Sequence, residues 1–516
     1  MALRRRLCKM PHCWHDKWES RIRSIAAQRK PAAAKITEKS LAQPEFDIVV
    51  IGGGAGGLVV AAGGAALGAK IAVVEKHRLG GDCLWYGCVP SKTLIKSASI
   101  AHAMRHAERW NLTPTDPKPD LAQVMERVAA VIRGIEPNDS PERFRGLGVD
   151  VILGEGKFTG PDAFEVNGRK LTAKTFVIAT GSRPGVPPLP GIDKTPYLTN
   201  ETVFNLREPV PSLLIVGGGP IGSEMAQAFR RLGSEVTVVD MASRMLPKED
   251  ADLAEVVHGR MVEEGVRFHF DASIVRVGGR KGAIAMTIKG KDGSERTLDA
   301  THLLMAAGRK ANIENLGLDA AGVKTDKNGL VIDNRLRTTN PKIYVIGDAA
   351  GGYQFTHMAE HHAGVVLRHA IFRFKWTKPS AIVPWCTYTD PELARIGLSE
   401  TEAQEKKVAH RVYRFPFADI DRARAEGETE GFAKIVTAPN GKLLGAAIVG
   451  LHAGELLAEY GLAVAEGMNA KKLTGIIHSY PTLAQVNRRV ADQRLKEGLT
   501  PTAKKWIQRI FRLQGA

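Results

Sequence analysis

The chain has 516 residues, of which 44 % are apolar and 25 % charged, and its formal net charge is +17. That balance excludes a disordered chain, and the length allows two to four domains around large cores. Five cysteines in so long a chain fit a reducing compartment, where a close pair reads as catalytic or metal-binding before it reads as a structural staple.

In chain order, residues 1 to 43 come first, with eleven Lys or Arg against three Asp or Glu. They include Arg4-Arg5-Arg6, Trp14 and Trp18 but no apolar stretch suited to secretion, so a basic, non-catalytic extension is expected. Cys8 and Cys13, beside His12 and His15, have the wrong spacing for a zinc finger, and no metal site is expected there. Phe46 to Ile51 reads as a buried strand, and Gly52, Gly54 and Gly57 complete a G-x-G-x-x-G turn that lets backbone approach a pyrophosphate at a helix start. Ile48 to Ala69 is uncharged and long enough to cross a membrane, but its eight glycines indicate strand, turn and close-packed helix instead. A second strand, Lys70 to Val74, ends in Glu75, eighteen residues after Gly57, where a carboxylate accepts hydrogen bonds from ribose hydroxyls.

Directly afterwards comes Gly80-Gly81-Asp82-Cys83-Leu84-Trp85-Tyr86-Gly87-Cys88-Val89-Pro90-Ser91-Lys92. A dinucleotide strand followed at once by a C-x4-C pair sets two sulfurs beside the group that the strand delivers. Phe176 to Gly181 is an apolar strand running into glycine past Thr180. The fingerprint then repeats: Ser212 to Val216, Gly217, Gly219 and Gly222, a helix through Arg231, and a strand Glu235 to Val239 closing on Asp240. Two fingerprints imply two dinucleotides, and the dithiol between them suggests what they exchange. Ile343 to Asp348 is another strand ending in glycine; Asp348 either binds a sugar or ribityl hydroxyl or caps the next helix. From Pro379 the pattern changes to short alternating strands, such as Ala433 to Val436, and a helix from Ala453 to Glu466, a third, α+β domain. Cys386 reads as a small buried strand residue. After Thr500, Trp506, Ile507, Ile510 and Phe511 recur at helical spacing, with Lys504, Lys505, Arg509 and Arg512 filling the other face; self-packing and a membrane surface both suit that pattern.

From about residue 44 to 495 the chain resembles the class I pyridine nucleotide-disulfide oxidoreductases, on the two fingerprints, the C-x4-C-V-P-S-K run, the Ala179-Thr180-Gly181 segment and Gly347-Asp348-Ala349. The resemblance implies an α/β fold with two Rossmann-like domains, for FAD and NAD(P), and a C-terminal α+β dimerisation domain. It divides the chain into a basic extension (1–43), an FAD domain in two parts (44–190 and 311–378), an NAD(P) domain (191–310), a dimerisation domain (379–498) and a basic amphipathic tail (499–516). It implies that Cys88 is the thiolate facing flavin and Cys83 the interchange thiol, with Lys92 near the flavin and paired to Glu224. Cofactor contacts are implied for Gly52, Gly54, Gly57, Glu75, Lys92, Thr180, Gly181, Gly217, Gly219, Gly222, Asp240, Gly308 and Asp348. Asp240 favours a free 2′-hydroxyl and hence NADH; Arg244 softens that preference toward NADPH.

Family members acting on dithiols place a His-Pro base and a Glu in the last domain; here Tyr480 stands at the base position and Gln485 at the Glu position. A phenol, with a pKa near ~10, is a poor base at neutral pH but still donates a hydrogen bond. Tyrosine there resembles mercuric reductases, yet no cysteine follows Cys386 to hand Hg(II) inward, and Cys8 and Cys13 lack the C-x-x-C spacing of that group's N-terminal domain. His478 is the alternative acid or base. The expected activity is transfer of electrons from NAD(P)H through FAD and a Cys83-Cys88 disulfide to a metal ion such as Hg(II), a small disulfide or a quinone. Dihydrolipoamide dehydrogenase is the alternative enzyme, and a flavin redox sensor tethered to membrane or nucleic acid by its basic ends the non-enzyme alternative. A homodimer in the cytoplasm is expected, with peripheral membrane contact through the basic termini rather than nucleic acid as a further partner.

Overall fold

In the computed structural model, which describes residues 43–515, the strand Phe46–Ile51 lies inside a sheet because both of its faces are apolar. Val49, Val50, Val73, Val177 and Ile178 are fully buried, as parallel strands covered on two sides require. The sheet runs Asp150–Leu153, Ile71–Glu75, Phe46–Ile51, Arg169–Ile178, with Ile343–Val345 added parallel to the end of Arg169–Ile178. The start of that long strand instead pairs antiparallel with Ala163–Val166, which continues to Gly156–Gly160. The strand expected from Lys70 begins one residue later: pairing runs from Ile48 with Ile71 to Ile51 with Val74, and Glu75 pairs with Leu153. The basic leader, with Cys8 and Cys13, lies outside the described residues up to position 42.

A second parallel sheet, Arg267–His269, Glu235–Val239, Ser212–Val216 and His302–Met305, repeats the arrangement. The two fingerprints share their strain. Gly52 has φ +109°, and a Cβ there would stand 2.4 Å from the Ala179 carbonyl oxygen; at Gly217 the values are +110° and 2.4 Å from the Ala306 carbonyl oxygen. A Cβ at Gly57 would stand 2.0 Å from the Gly52 oxygen, and one at Gly222 would stand 1.9 Å from that of Gly217. Only glycine lets the helices Ala55–Ala66 and Pro220–Arg231 start this close to their strands.

The third sheet is antiparallel: Pro384–Thr387, Glu392–Gly397, Leu443–Gly450, Phe432–Thr437, Arg411–Pro416, with the helices Ala453–Ala465 and Gln485–Glu497 packed against it. Cys386 lies in the first of these strands. Among the described residues, no helix is long and apolar enough to cross a membrane, and the stretch Ile48 to Ala69 folds as strand, turn and helix.

Buried cations tie this sheet to the second nucleotide-type sheet. Lys434, only 1 % exposed, reaches Asp250 at 2.7 Å, Asp252 at 2.8 Å and Glu400 at 3.1 Å. Burial pushes the Asp250 carboxyl up, but hydrogen bonds from Lys434 and Thr401 outweigh it and hold the group well below the usual carboxylate range. Arg231, also buried, bridges Glu264 and Asp390. Lys434→Met strands a buried carboxylate and is expected to lower unfolding free energy by about 3–5 kcal/mol at neutral pH. A carboxyl depressed in the fold stabilises above its unfolded pKa, so the deficit shrinks as pH falls below ~4; urea titrations of both proteins at several pH values check this.

Candidate active site

The two nucleotide-type turns open onto one cleft of about 2340 Å³. The cysteines enter it because the chain presses back on the first fingerprint. Gly80 donates its N–H to the Gly53 oxygen at 2.9 Å, and a Cβ at Gly81 would stand 2.6 Å from the Gly54 Cα. That contact seats the short helix Gly81–Trp85, with Cys83, and then the helix Cys88–Arg105, which Cys88 opens. Both sulfurs line the cleft.

Cys83 and Cys88 are hydrogen-bonded to each other, and the pair divides its acidity. The hydrogen bond from Cys83 does most to bring the Cys88 thiol down to about 6; burial opposes it, while Thr356 and the Lys92 charge assist. The Cys83 thiol is pushed up, first by that shared hydrogen bond and then by burial. Cys88 has an exposed surface, but that surface faces the cleft, so its sulfur is still partly desolvated. Thr356 Oγ1 lies 3.6 Å from Cys88 Sγ.

One helical turn beyond Cys88, Lys92 Nζ donates to Glu224 Oε2 at 2.8 Å. Glu224 is nearly buried on the helix Pro220–Arg231, and its other oxygen accepts from the Tyr388 N–H at 3.0 Å. The Tyr388 ring lies 4.4 Å from Lys92 Nζ. This joins the cysteine helix, the second fingerprint helix and the third sheet at one point.

On the side of the first fingerprint, Glu75 accepts from Gly53 N at 2.7 Å and from His77 N at 2.8 Å, leaving each oxygen a further lone pair. Asp348 does not cap the following helix Thr356–Ala370; Ser182 donates to it at 2.5 Å, and Arg309 stands 3.5 Å away while also reaching Asp82 at 3.1 Å. Thr180 donates to the Asn312 carbonyl at 2.6 Å, beside Gly181 at φ +66°. On the second side, Asp240 accepts from Gly218 N at 2.5 Å and from Ala242 N at 2.7 Å. Arg244 donates to the Leu246, Pro247 and Glu249 carbonyls, so its guanidinium is committed to its own loop.

These residues fit two dinucleotides. Helices Ala55–Ala66 and Pro220–Arg231 start at Gly54 and Gly219 without a side-chain cap, leaving N–H groups for phosphate oxygens. A Cβ at Gly219 would meet nothing within 4 Å, so that turn faces open space.

Comparison with known families shows where the chain belongs. The model for "pyridine nucleotide-disulphide oxidoreductase" matches residues 46–363, and that for the family's dimerisation domain matches residues 383–490. The chain belongs to the pyridine nucleotide-disulphide oxidoreductases. A mercuric reductase of Lysinibacillus sphaericus is 34 % identical over 86 % of the oxidoreductase and 81 % of the relative. A dihydrolipoyl dehydrogenase of Chlamydia trachomatis is 35 % identical, over 86 % and 95 %. Among solved structures, the copper(II) complex of the HOCl-induced flavoprotein disulfide reductase RclA from Escherichia coli superposes with a TM-score of 0.77 at 27 % identity, over 87 % of the oxidoreductase and 99 % of that chain. LpdA from Mycobacterium tuberculosis gives 0.79 at 28 % identity, over 86 % and 99 %. The oxidoreductase is thus an enzyme of a flavin-dependent disulfide reductase family whose members use FAD and NAD(P)H, and its dimerisation domain supports a homodimer.

Of the residues singled out in the sequence, Gly52, Gly54, Glu75, Cys83, Cys88, Lys92, Thr180, Gly181, Gly217, Gly219, Glu224, Asp240, Gly308 and Asp348 line the cleft. Gly57 and Gly222 do not; they lie beneath it, where helix meets strand. Tyr480 and His478 stand outside it in the dimerisation segment. Tyr480 is 69 % exposed, and its hydroxyl makes one 3.3 Å bond to Asp421. His478 Nε2 lies 3.1 Å from Glu459 and Nδ1 3.2 Å from the Ile476 carbonyl, both acceptors, of which a neutral ring serves one. Sequence reasoning missed Thr356, Tyr388 and Arg309; only the run Trp385-Cys386-Thr387-Tyr388 carried a local signal, and that signal was strand.

The split between the sulfurs sets a pH dependence. In the dithiol form, the Cys88 thiolate is populated above about 6 and lost as pH falls through that value. Lys92→Met is expected to move the midpoint up by about one unit, read from thiolate absorbance of the reduced enzyme against pH.

Proposed function

We propose that this oxidoreductase carries electrons from NADH through FAD to a Cys83-Cys88 disulfide and on to a soft metal ion, with small disulfides and quinones as the other acceptor classes. The observation that supports this reading best is the joint at Lys92: a cation held against Cys88 by a carboxylate on the second fingerprint helix, within the cleft that both fingerprints share. FAD, when bound, supplies the two-electron relay between nicotinamide and sulfur. The chain's own residues do the rest. Glu224 keeps Lys92 in place, Lys92 and the Thr356 hydroxyl stabilise the Cys88 thiolate, and Cys83 keeps its proton and faces the acceptor. Two electrons and one proton, together the hydride that NADH gives up, open the disulfide to the Cys83 thiol and the Cys88 thiolate; its re-formation returns two electrons to the acceptor and releases that proton.

NADH is preferred because the Asp240 carboxylate repels a 2′-phosphate and Arg244, bound to its own loop, does not offset it. A metal-ion acceptor is supported by the similarity to mercuric reductases and to a reductase solved with copper(II). Tyr480 is the better candidate for assisting the partner subunit's sulfurs, since its phenol is exposed while the His478 side chain is only 7 % exposed and lies against Glu459. The residue at that position also makes rapid lipoamide turnover the weaker reading.

An anaerobic NADH titration of the FAD-loaded enzyme tests the first half. A long-wavelength thiolate band is expected in wild type and absent in Cys88→Ser; bleaching of the flavin with no such band in wild type refutes the disulfide route. In steady state, Hg(II) should be turned over faster than lipoamide, and Tyr480→His should reverse the order. Asp240→Ala is expected to reduce the NADH-over-NADPH ratio of kcat/KM by about tenfold.

A further inference from the structure

The redox site leaves two surface features unused. The first is the helix Pro501–Phe511, which Thr500 caps by accepting from Ala503 N at 3.1 Å. None of its residues is buried. Ala503, Trp506, Ile507, Ile510 and Phe511 follow the i, i+3, i+4, i+7, i+8 spacing of one helical stripe, with Trp506 58 %, Ile510 64 % and Phe511 68 % exposed. Lys504, Lys505, Arg509 and the following Arg512 supply the cations, and no acidic residue lies between Thr500 and Gly515. A stripe of this width ordinarily packs on its own protein; here no other described residue buries it.

The second feature has the same chemistry. Phe372, Phe374 and Trp376 stack in series at 5.6 and 4.6 Å, all exposed, and alternate with Arg373 and Lys375 before Lys378. This segment, too, contains no acidic residue from Ile371 to Lys378.

We propose that the helix Pro501–Phe511 lies in the plane of a bilayer surface rich in anionic phospholipid, with the Phe372-Phe374-Trp376 stack as a second contact of the same kind. The inference goes beyond the redox reading and holds whichever acceptor is used. Charge decides against a second copy of the chain as the occupant. Two such patches face to face would set Lys504, Lys505 and Arg509 against their own like, whereas anionic headgroups neutralise them and suit a chain of net charge +17. Shape decides against nucleic acid. Phosphates would satisfy the cations, but Ile507, Ile510 and Leu513 have no flat face on which a base can stack and would stay in water. A bilayer accepts all parts at once: aliphatic side chains among acyl chains, Trp506 and Phe511 at the headgroup boundary, cations at phosphate.

The test uses the full-length FAD-loaded dimer, sedimented with vesicles of phosphatidylcholine alone or with about a third phosphatidylglycerol. Retention is expected on the anionic vesicles only, weakening as salt is raised. The variant Trp506→Ser/Ile510→Ser/Phe511→Ser keeps every cation, and Lys504→Glu/Lys505→Glu/Arg509→Glu keeps the apolar stripe. Each should reduce retention by about tenfold or more, with NADH-dependent turnover in solution unchanged. Failure of the wild type to bind anionic vesicles overturns the proposal, as does a triple-serine variant retained like wild type. Binding to a DNA oligonucleotide in place of vesicles, lost only in the triple-glutamate variant, assigns the surface to nucleic acid and overturns it as well. Growth from dimer to larger oligomer that the triple-serine change abolishes, without vesicle retention, assigns the stripe to a second copy with the same consequence.

Discussion

The Lys92–Glu224 ion pair is the constraint on which the site depends, because it fastens two helices that the chain separates by 132 residues. Glu224 is too buried to be left charged without a partner, and Lys92 is the cation within reach. Its position one turn beyond Cys88 is equally fixed, since Cys88 begins the same helix. A single contact therefore sets the distance between the sulfur site and the second nucleotide turn. It also recruits the end of the third sheet's first strand through the Tyr388 N–H, so that two helices and that strand end meet at one carboxylate.

Around that joint, the two nucleotide turns solve one steric problem twice. Each brings a helix N-terminus down on a strand end so closely that a methyl group would collide with backbone oxygen at both ends of the turn. Uncapped N–H groups are the result, and a polyphosphate is what satisfies them. The asymmetry of function comes from what is added. Gly80 and Gly81 fold the cysteine segment against the first turn only, while the second receives a carboxylate, Asp240, and an arginine turned back on its own loop.

Buried charge also holds the periphery. Lys434 and Arg231 each cross from one sheet system to another, and each buried cation is matched by carboxylates from both sides. These pairs fasten the dimerisation segment to the nucleotide-binding part.

What the sequence by itself determined was everything carried by neighbours along the chain. The strand Phe46–Ile51, the glycine turns, the C-x4-C run, the second fingerprint through Asp240 and the helix through Arg231 all follow from local periodicity and from steric needs spanning a few residues. Even there, the edge of the strand before Glu75 shifted by one residue, because register with Phe46–Ile51 and not propensity fixes where pairing begins. The tertiary structure alone decided which distant groups complete the site. Thr356 stands beside a sulfur 268 residues earlier, Tyr388 holds a carboxylate 164 residues away, and Arg309 joins Asp82 to Asp348. It also decided that Gly57 and Gly222 support the cleft from below, and that His478 is held by Glu459 instead of standing free. Such pairings leave no periodic trace in the chain, since they arise when independently formed elements pack and each buried polar atom must find a partner.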